Sequence, residues 1–245
     1  MGYLKDQSGI MKRFINEDGN WKSHVDQCKN FIIQCAENKN KKNCAVLGSG
    51  WLLDVPLNYL SQSFENVYLV DIYHPKPVLS KIRKYHNVIC ITEDLTGGWV
   101  NKIYDERRQI KHTGVQWLNN IKFTPDFFYS GYDFVISLNL LSQLDVLLID
   151  YLKKITIIKD SELEKIRKEI QNTHLNSLPV RKTCLISDFE ELKIDDNDHT
   201  INVKNLVYAD KDRFNPMQNW KWKFDTLKTY QNSYNTYFNV IAMEI

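Results

Sequence analysis

The chain has 245 residues, 43% of them hydrophobic and 25% charged, and its 32 Lys and Arg against 30 Asp and Glu leave a net charge of +2. That is enough apolar material for one sizeable core, and the balance excludes a strongly basic nucleic-acid wrapper and an acidic solvating chain. With 9 Gly and 6 Pro this is no collagen-like or low-complexity sequence, and no apolar run approaches the roughly 20 residues that span a bilayer.

Residues 1–20 are polar and mixed in charge, and Asp6 stands where an N-myristoylation signal carries Ser or Thr. Neither a secretory leader nor a lipid anchor is expected, and a cytoplasmic location is. The next segment changes character. Trp21, His24, Val25, Cys28, Phe31, Ile32 and Cys35 recur at spacings of three and four, which predicts a helix over 21–38 with one apolar stripe. The five cysteines are scattered without a Cys-x-x-Cys pair, so they are expected to be reduced, structural thiols.

From residue 44 short apolar runs alternate with polar or helical segments. Strands are predicted at Cys44–Leu47, Val67–Val70, Val88–Ile91, Tyr132–Ile136 and Cys184–Ile186, with helices near 52–61, 78–85, 140–154 and 161–177. Such alternation predicts an α/β fold: a doubly wound, mostly parallel sheet covered by helices on both faces. The end of the chain is different. Asn219–Phe224 alternates strictly, Tyr237–Ile245 follows, and no helical pattern lies between, so these strands are expected to pair antiparallel at the sheet edge. The organisation expected is an N-terminal helical extension, 1–43, and a domain, 44–245, with insertions near 97–131 and 189–219.

In an open α/β sheet ligands bind beyond the carboxyl ends of the strands, so the polar residues there carry the functional reading. Gly48-Ser49-Gly50 follows the first strand, where glycines allow a tight turn and close approach of a ligand. A third glycine is absent, with Leu52 in its place, and a turn needed for packing alone is the competing reading. Asp71 ends the second strand, where a carboxylate can accept both hydroxyl hydrogens of a ribose. Glu93-Asp94 ends the third, where an acid can accept from an exocyclic adenine amine. Ser137 to Gln143 follow the fourth, as a pocket floor or a helix cap by Ser137 or Asn139.

Together these elements resemble the class I S-adenosylmethionine-dependent methyltransferases. Val46-Leu-Gly-Ser-Gly50 is similar to that family's glycine-rich motif, Val67-Tyr-Leu-Val-Asp71 to its ribose-binding strand and Ile91-Thr-Glu-Asp-Leu95 to its adenine-contacting strand end. Tyr132 to Ser137 and Leu141 to Leu144 resemble its fourth motif. GSGWLLDVPL followed by VYLVDIYHP resembles, more narrowly, a bacterial methyltransferase-like group. The resemblance implies a seven-stranded Rossmann-like methyltransferase fold with an antiparallel C-terminal strand. It implies binding of S-adenosyl-L-methionine, with S-adenosyl-L-homocysteine as product, by Gly48, Ser49, Gly50, Asp54, Asp71, Ile72, Asp94, Leu95, Ser137 and Asn139. Val46 stands where the family often has an acid, and Asp54 either faces the methionine portion in its stead or caps the next helix.

The reaction implied is in-line transfer of a methyl group to a small molecule. The catalytic residue stays open, with His74 and His174 as base candidates by type alone. Trp99, Trp117 and Trp220 either stack a planar substrate or pack as core or lid. A methyltransferase fold retained for binding or scaffolding alone and, less favoured, a nicotinamide-dependent reductase are the alternative readings. No metal is expected, because the histidines lack helical His-x-x-x-His spacing and Asp195–His199 reads as a polar turn. A nucleic-acid partner is not favoured by the near-neutral charge, no membrane is expected, and the oligomeric state is open.

Overall fold

A computed structural model of the chain describes residues 2–17, 19–115, 129–231 and 233–245. Trp117 and most of 116–131, in the expected insertion, lie outside the described residues. Five strands form the parallel part of the sheet, β1 (Asn43–Leu47), β2 (Asn66–Asp71), β3 (Val88–Thr92), β4 (Phe134–Leu138) and the first half of β5 (Thr183–Ile194). Residues Cys44 to Leu47 are wholly buried, as a strand covered on both faces requires. The chain ends in β6 (Thr200–Asn205), β7 (Gln218–Asp225) and β8 (Asn235–Glu244).

The strand order is β3-β2-β1-β4-β5-β8-β7, with β6 paired to β5. β8 inserts antiparallel between β5 and β7. This is the doubly wound, mostly parallel α/β sheet with an antiparallel C-terminal strand, and its order reverses between β1 and β4. Among the described residues the sheet has eight strands rather than the expected seven. The extra one, β6, arises because β5 runs on past the core to Ile194 and turns back at 195–199, where the Asp195 carboxylate accepts the N–H groups of Asn197 and His199. The residues of β6 are exposed or nearly so, and only Ile201 and Val203 alternate in it.

Helices α2 (Lys22–Ala36), α3 (Leu57–Ser63) and α4 (Lys76–Ile82) cover one face of the sheet. Phe31, Ile32 and Leu60 bury there against Val46, Val67, Ile136 and the aromatic set Trp220, Trp222 and Phe224. On the opposite face lie α5 (Trp99–Asp105), α6 (Arg107–Thr113), α7 (Val146–Ile155) and α8 (Asp160–Ser177). Leu163, Ile166 and Ile170 recur at three and four along α8 and meet Leu148, Leu152 and Leu185 in the second core. The backbone N–H of Lys159 donates to the Glu162 carboxylate at 3.1 Å, closing the first turn of α8.

Within the expected helical extension, 1–43, the polar first segment forms a helix of its own ahead of α2. α1 (Tyr3–Asn16) has no fully buried residue, and it lies against the carboxyl ends of the strands through partly buried Ile10 and Phe14. Among the described residues no helix is long and apolar enough to cross a membrane.

Candidate functional site

β1 ends in a loop whose backbone alternates into the left-handed region, with φ of +74° at Gly48, +47° at Gly50 and +56° at Leu52. The last is the place where a third glycine was missed. Leu52 holds that conformation because its side chain is buried in the core. A Cβ on Gly48 would stand 3.1 Å from the Leu138 carbonyl and the Leu140 side chain, so that glycine serves the approach of the β4 loop. Gly50 instead frees its N–H, which donates to Asp71 Oδ2 at 2.9 Å.

Asp71 is 7% exposed, and its second oxygen accepts the Tyr73 N–H at 3.3 Å. Burial pushes its carboxyl up, and the N–H groups of Gly50 and Tyr73 oppose that shift. Each carboxylate oxygen accepts two hydrogen bonds or more, so acceptor capacity remains. Ile72 follows, half-buried. His74 is committed elsewhere, its Nε2–H donating to the Ile91 carbonyl at 2.9 Å. Asp94 accepts the Thr96 N–H and hydroxyl on Oδ1, while its buried Oδ2 has no partner among the described residues.

Gly48, Ser49, Gly50, Asp54 and Asn139 line one cavity of about 100 Å³, together with Gln7, Trp51, His24 and Trp222. Asp94 and Leu95 line a second of about 60 Å³ that also touches Tyr129 and His174. Ser137 takes a different direction. It lies inside β4, wholly buried, and its Oγ is 2.9 Å from His174 Nε2 on α8. Burial holds the His174 imidazole down at about 4, so it is neutral at pH 7. Trp99 packs in the second core, and the Trp220 indole N–H donates to His24 Nδ1 at 3.1 Å.

That last bond reaches into a close cluster. The ligand atoms of His24, Cys28 and Asp54 lie within 4.8 Å of one another. An indole N–H can only donate, so His24 Nδ1 accepts it, while Nε2 lies 3.3 Å from the Asn139 amide nitrogen. Burial lowers the imidazole to about 3 and pushes the Cys28 thiol well up. Asp54 accepts the Asn139 amide N–H at 2.8 Å, and Asn139 sits at φ +47°, a conformation asparagine tolerates.

Three residues at this site escaped the sequence reading. Tyr3 and Gln7 belong to α1, which crosses the strand ends. The Trp51 indole N–H donates to the Gln7 carbonyl at 2.7 Å, and Tyr3 feels the charge of Asp94. Asp188, on β5, is 2% exposed, and Gln143 and Ser142 beside its carboxylate oppose the upward push of burial. Its signal was present, because it follows an apolar strand as Asp71 and Asp94 do. Among the described residues, Gln7 Oε1, Ser49 Oγ and Asn139 Oδ1 in the wall of the first cavity and Asp94 Oδ2 in that of the second have no hydrogen-bond partner. Leaving such atoms unpaired costs about 1–3 kcal/mol each, and a polar ligand would pair them.

No family model and no curated protein matches the chain. Among solved structures it is similar to the N-methyltransferase NodS from Bradyrhizobium japonicum, bound to S-adenosyl-L-homocysteine, at 6% identity over 91% of this chain and 87% of that one, with a TM-score of 0.45. DhpI in complex with S-adenosylhomocysteine is similar at 11% identity over 97% and 94% of the two chains, with a TM-score of 0.41. The 1,6-didemethyltoxoflavin-N1-methyltransferase of Burkholderia thailandensis is similar at 8% identity over 97% and 86%, with a TM-score of 0.42.

Proposed function

We propose that the chain is an S-adenosyl-L-methionine-dependent methyltransferase acting on a small molecule, with S-adenosyl-L-homocysteine as product. One observation carries the reading: the Asp71 carboxylate, at the end of β2, is held against the glycine loop by the Gly50 N–H. Acceptor capacity there, next to the reversal of strand order, suits the two hydroxyl donors of a ribose. The residues around it fit the rest of the donor. Asp94 Oδ2 is an unpartnered acceptor for an adenine amine. Ser49 Oγ and Asp54, from the loop after β1, suit the polar ends of the methionine portion.

The donor brings a methyl group already activated on sulfur, so the protein has to align the acceptor and keep water out. α1 supports this, because it closes over the crevice through Gln7 and Tyr3. A crevice so covered favours a small acceptor over a macromolecule. Isothermal titration with S-adenosylmethionine and S-adenosylhomocysteine tests the proposal. Both are expected to bind, and Asp71→Ala is expected to weaken both. Failure of either nucleoside to bind the wild type, or indifference to Asp71→Ala, overturns it.

A further inference from the structure

The donor accounts for only part of the cavity of about 100 Å³. Gly48, Ser49, Gly50, Asp54 and Asn139 belong to the loops after β1 and β4 that would hold it. The rest of the lining is mostly apolar, with Ile10, Trp21, Val25, Trp51, Leu53 and Trp222. Three of the chain's six tryptophans meet there.

These rings are fixed before any ligand arrives. The His24 ring stacks on Trp222 at 3.9 Å and 5°, and Trp21 meets Trp222 edge-on at 4.7 Å. Among the described residues Trp51 takes no part in that stack. It is half-buried, and its indole N–H donates to the Gln7 carbonyl at 2.7 Å, which holds the ring in place. A rigid indole of this kind suits the face of a second planar ring.

The lining offers a ligand no counterion. Among the described residues it contains no Lys, Arg or Glu, and its two titratable groups are His24 and Asp54. Burial lowers the His24 imidazole to about 3, so it is neutral. Asp54 accepts the Asn139 amide N–H and is taken up by the donor. A charged group brought in beside the tryptophans would lose water without gaining a partner.

Four buried atoms of this lining have no hydrogen-bond partner among the described residues: Ser49 Oγ, Asn139 Oδ1, Gln7 Oε1 and Trp222 Nε1. The first two stand in the loops that hold the donor. The last two are one acceptor and one donor, and they ask for a ligand that carries one of each. Gln7 also sets this part of the cavity against the donor's, because its Oε1 stands 3.9 Å from where a Cβ on Gly50 would lie.

We propose that the methyl acceptor is an uncharged aromatic molecule that stacks on Trp51, donates a hydrogen bond to Gln7 Oε1 and accepts one from Trp222 Nε1. This rests on the methyltransferase reading above. A heteroatom of the aromatic molecule supplies the lone pair that forms the new bond to the methyl carbon. The donor's C–S bond breaks as that bond forms, and its electron pair goes to sulfur. The heteroatom then loses its proton to water, so the product leaves uncharged.

The test uses protein saturated with S-adenosylhomocysteine, so that the donor's part of the cavity is filled. Benzamide, benzoate and benzamidine, alike in shape but neutral, negative and positive, are titrated calorimetrically against it. Cyclohexanecarboxamide is the non-aromatic control. Benzamide is expected to bind at least about tenfold tighter than the other three, a difference of about 1.4 kcal/mol. Gln7→Glu sets a carboxylate in the lining and is expected to put benzamidine first. Trp51→Leu is expected to bring benzamide down to the level of cyclohexanecarboxamide.

The inference is overturned if either charged probe, or the non-aromatic one, binds the wild type as well as benzamide does, or if none of the four binds. It is also overturned if benzamide keeps its lead in Gln7→Glu, or if that variant loses S-adenosylhomocysteine, which would give Gln7 to the donor. If Trp51→Leu does not fold, the wild-type series and Gln7→Glu decide. A wild type that fails to bind S-adenosylhomocysteine removes the methyltransferase reading itself, and the inference with it.

Discussion

The backbone N–H of Gly50 donates to Asp71 Oδ2 at 2.9 Å, joining the loop after β1 to the acid that ends β2. The glycine loop and the acid are thereby placed together. Asp71→Ala removes both that tie and the carboxylate offered to the ribose. A hydrogen bond to a charged group contributes about 1.5–3 kcal/mol, so S-adenosylhomocysteine affinity is expected to drop about 10- to 100-fold by calorimetry. Asp71→Asn keeps the shape without the charge and is expected to fall between Ala and the wild type.

Gly48 and Gly50 separate by mechanism. Gly48→Ala puts a Cβ 3.1 Å from the Leu138 carbonyl at φ +74°, so both strain and overlap act. Urea denaturation is expected to show a loss of about 1–3 kcal/mol. Gly50→Ala meets nothing closer than 3.9 Å, and its smaller loss comes from the left-handed backbone alone. Equal losses for the two would contradict this division.

α1 is fastened at its far end by Glu17. That buried carboxylate accepts the Thr226 N–H at 2.9 Å, the Thr226 hydroxyl at 2.8 Å and the Asn20 amide at 3.2 Å. Since α1 has no fully buried residue of its own, these bonds weigh heavily in its docking. Glu17→Ala is expected to raise amide exchange rates across 3–16, measured by mass spectrometry, and to speed S-adenosylhomocysteine release. Exchange in α8 should not change.

Two buried groups give stability opposite pH dependences. The imidazole of His174 is held at about 4 against 6.5 when unfolded. The unfolded chain therefore binds the extra proton, and the contribution present above pH 6.5 is lost as pH falls towards 4. At about 1.4 kcal/mol per pH unit this amounts to roughly 3 kcal/mol. His174→Asn is expected to flatten the stability curve over that window.

Asp188 runs the other way, raised from 3.8 to about 7. Here the folded chain binds the extra proton, and stability is lost as pH rises from about 4 through 7. Asp188→Asn should thus gain on the wild type over that range. Chemical denaturation at half-unit steps of pH reads both variants.

The sheet was legible in the sequence because its information is local. Cys44–Leu47 and Val67–Val70 are near-continuous apolar runs, and a strand buried on both faces admits little else. The absence of a helical pattern between Asn219–Phe224 and Tyr237–Ile245 foretold an antiparallel pair. Asp71 and Asp94 were legible for the same reason, since an acid directly after such a run must lie at a strand end. A small error in an element end had a larger effect. β4 ends at Leu138 rather than Ile136, so Ser137 falls within the strand and faces α8, because successive side chains alternate faces.

Periodicity and strand ends thus determined the architecture and half of the crevice. The rest was decided by the tertiary structure, because it depends on which distant groups are denied water together. Nothing local announces that a polar N-terminal segment will lie across the strand ends, or that Asp54 and Asp188 will be buried near enough to feel one another's charge. The same holds for the surroundings of His24, whose Nδ1 accepts the indole N–H of Trp220 far along the chain. Burial and hydrogen-bond pairing are properties of an assembled neighbourhood, and a side chain acquires them only when the sheet brings its neighbours in.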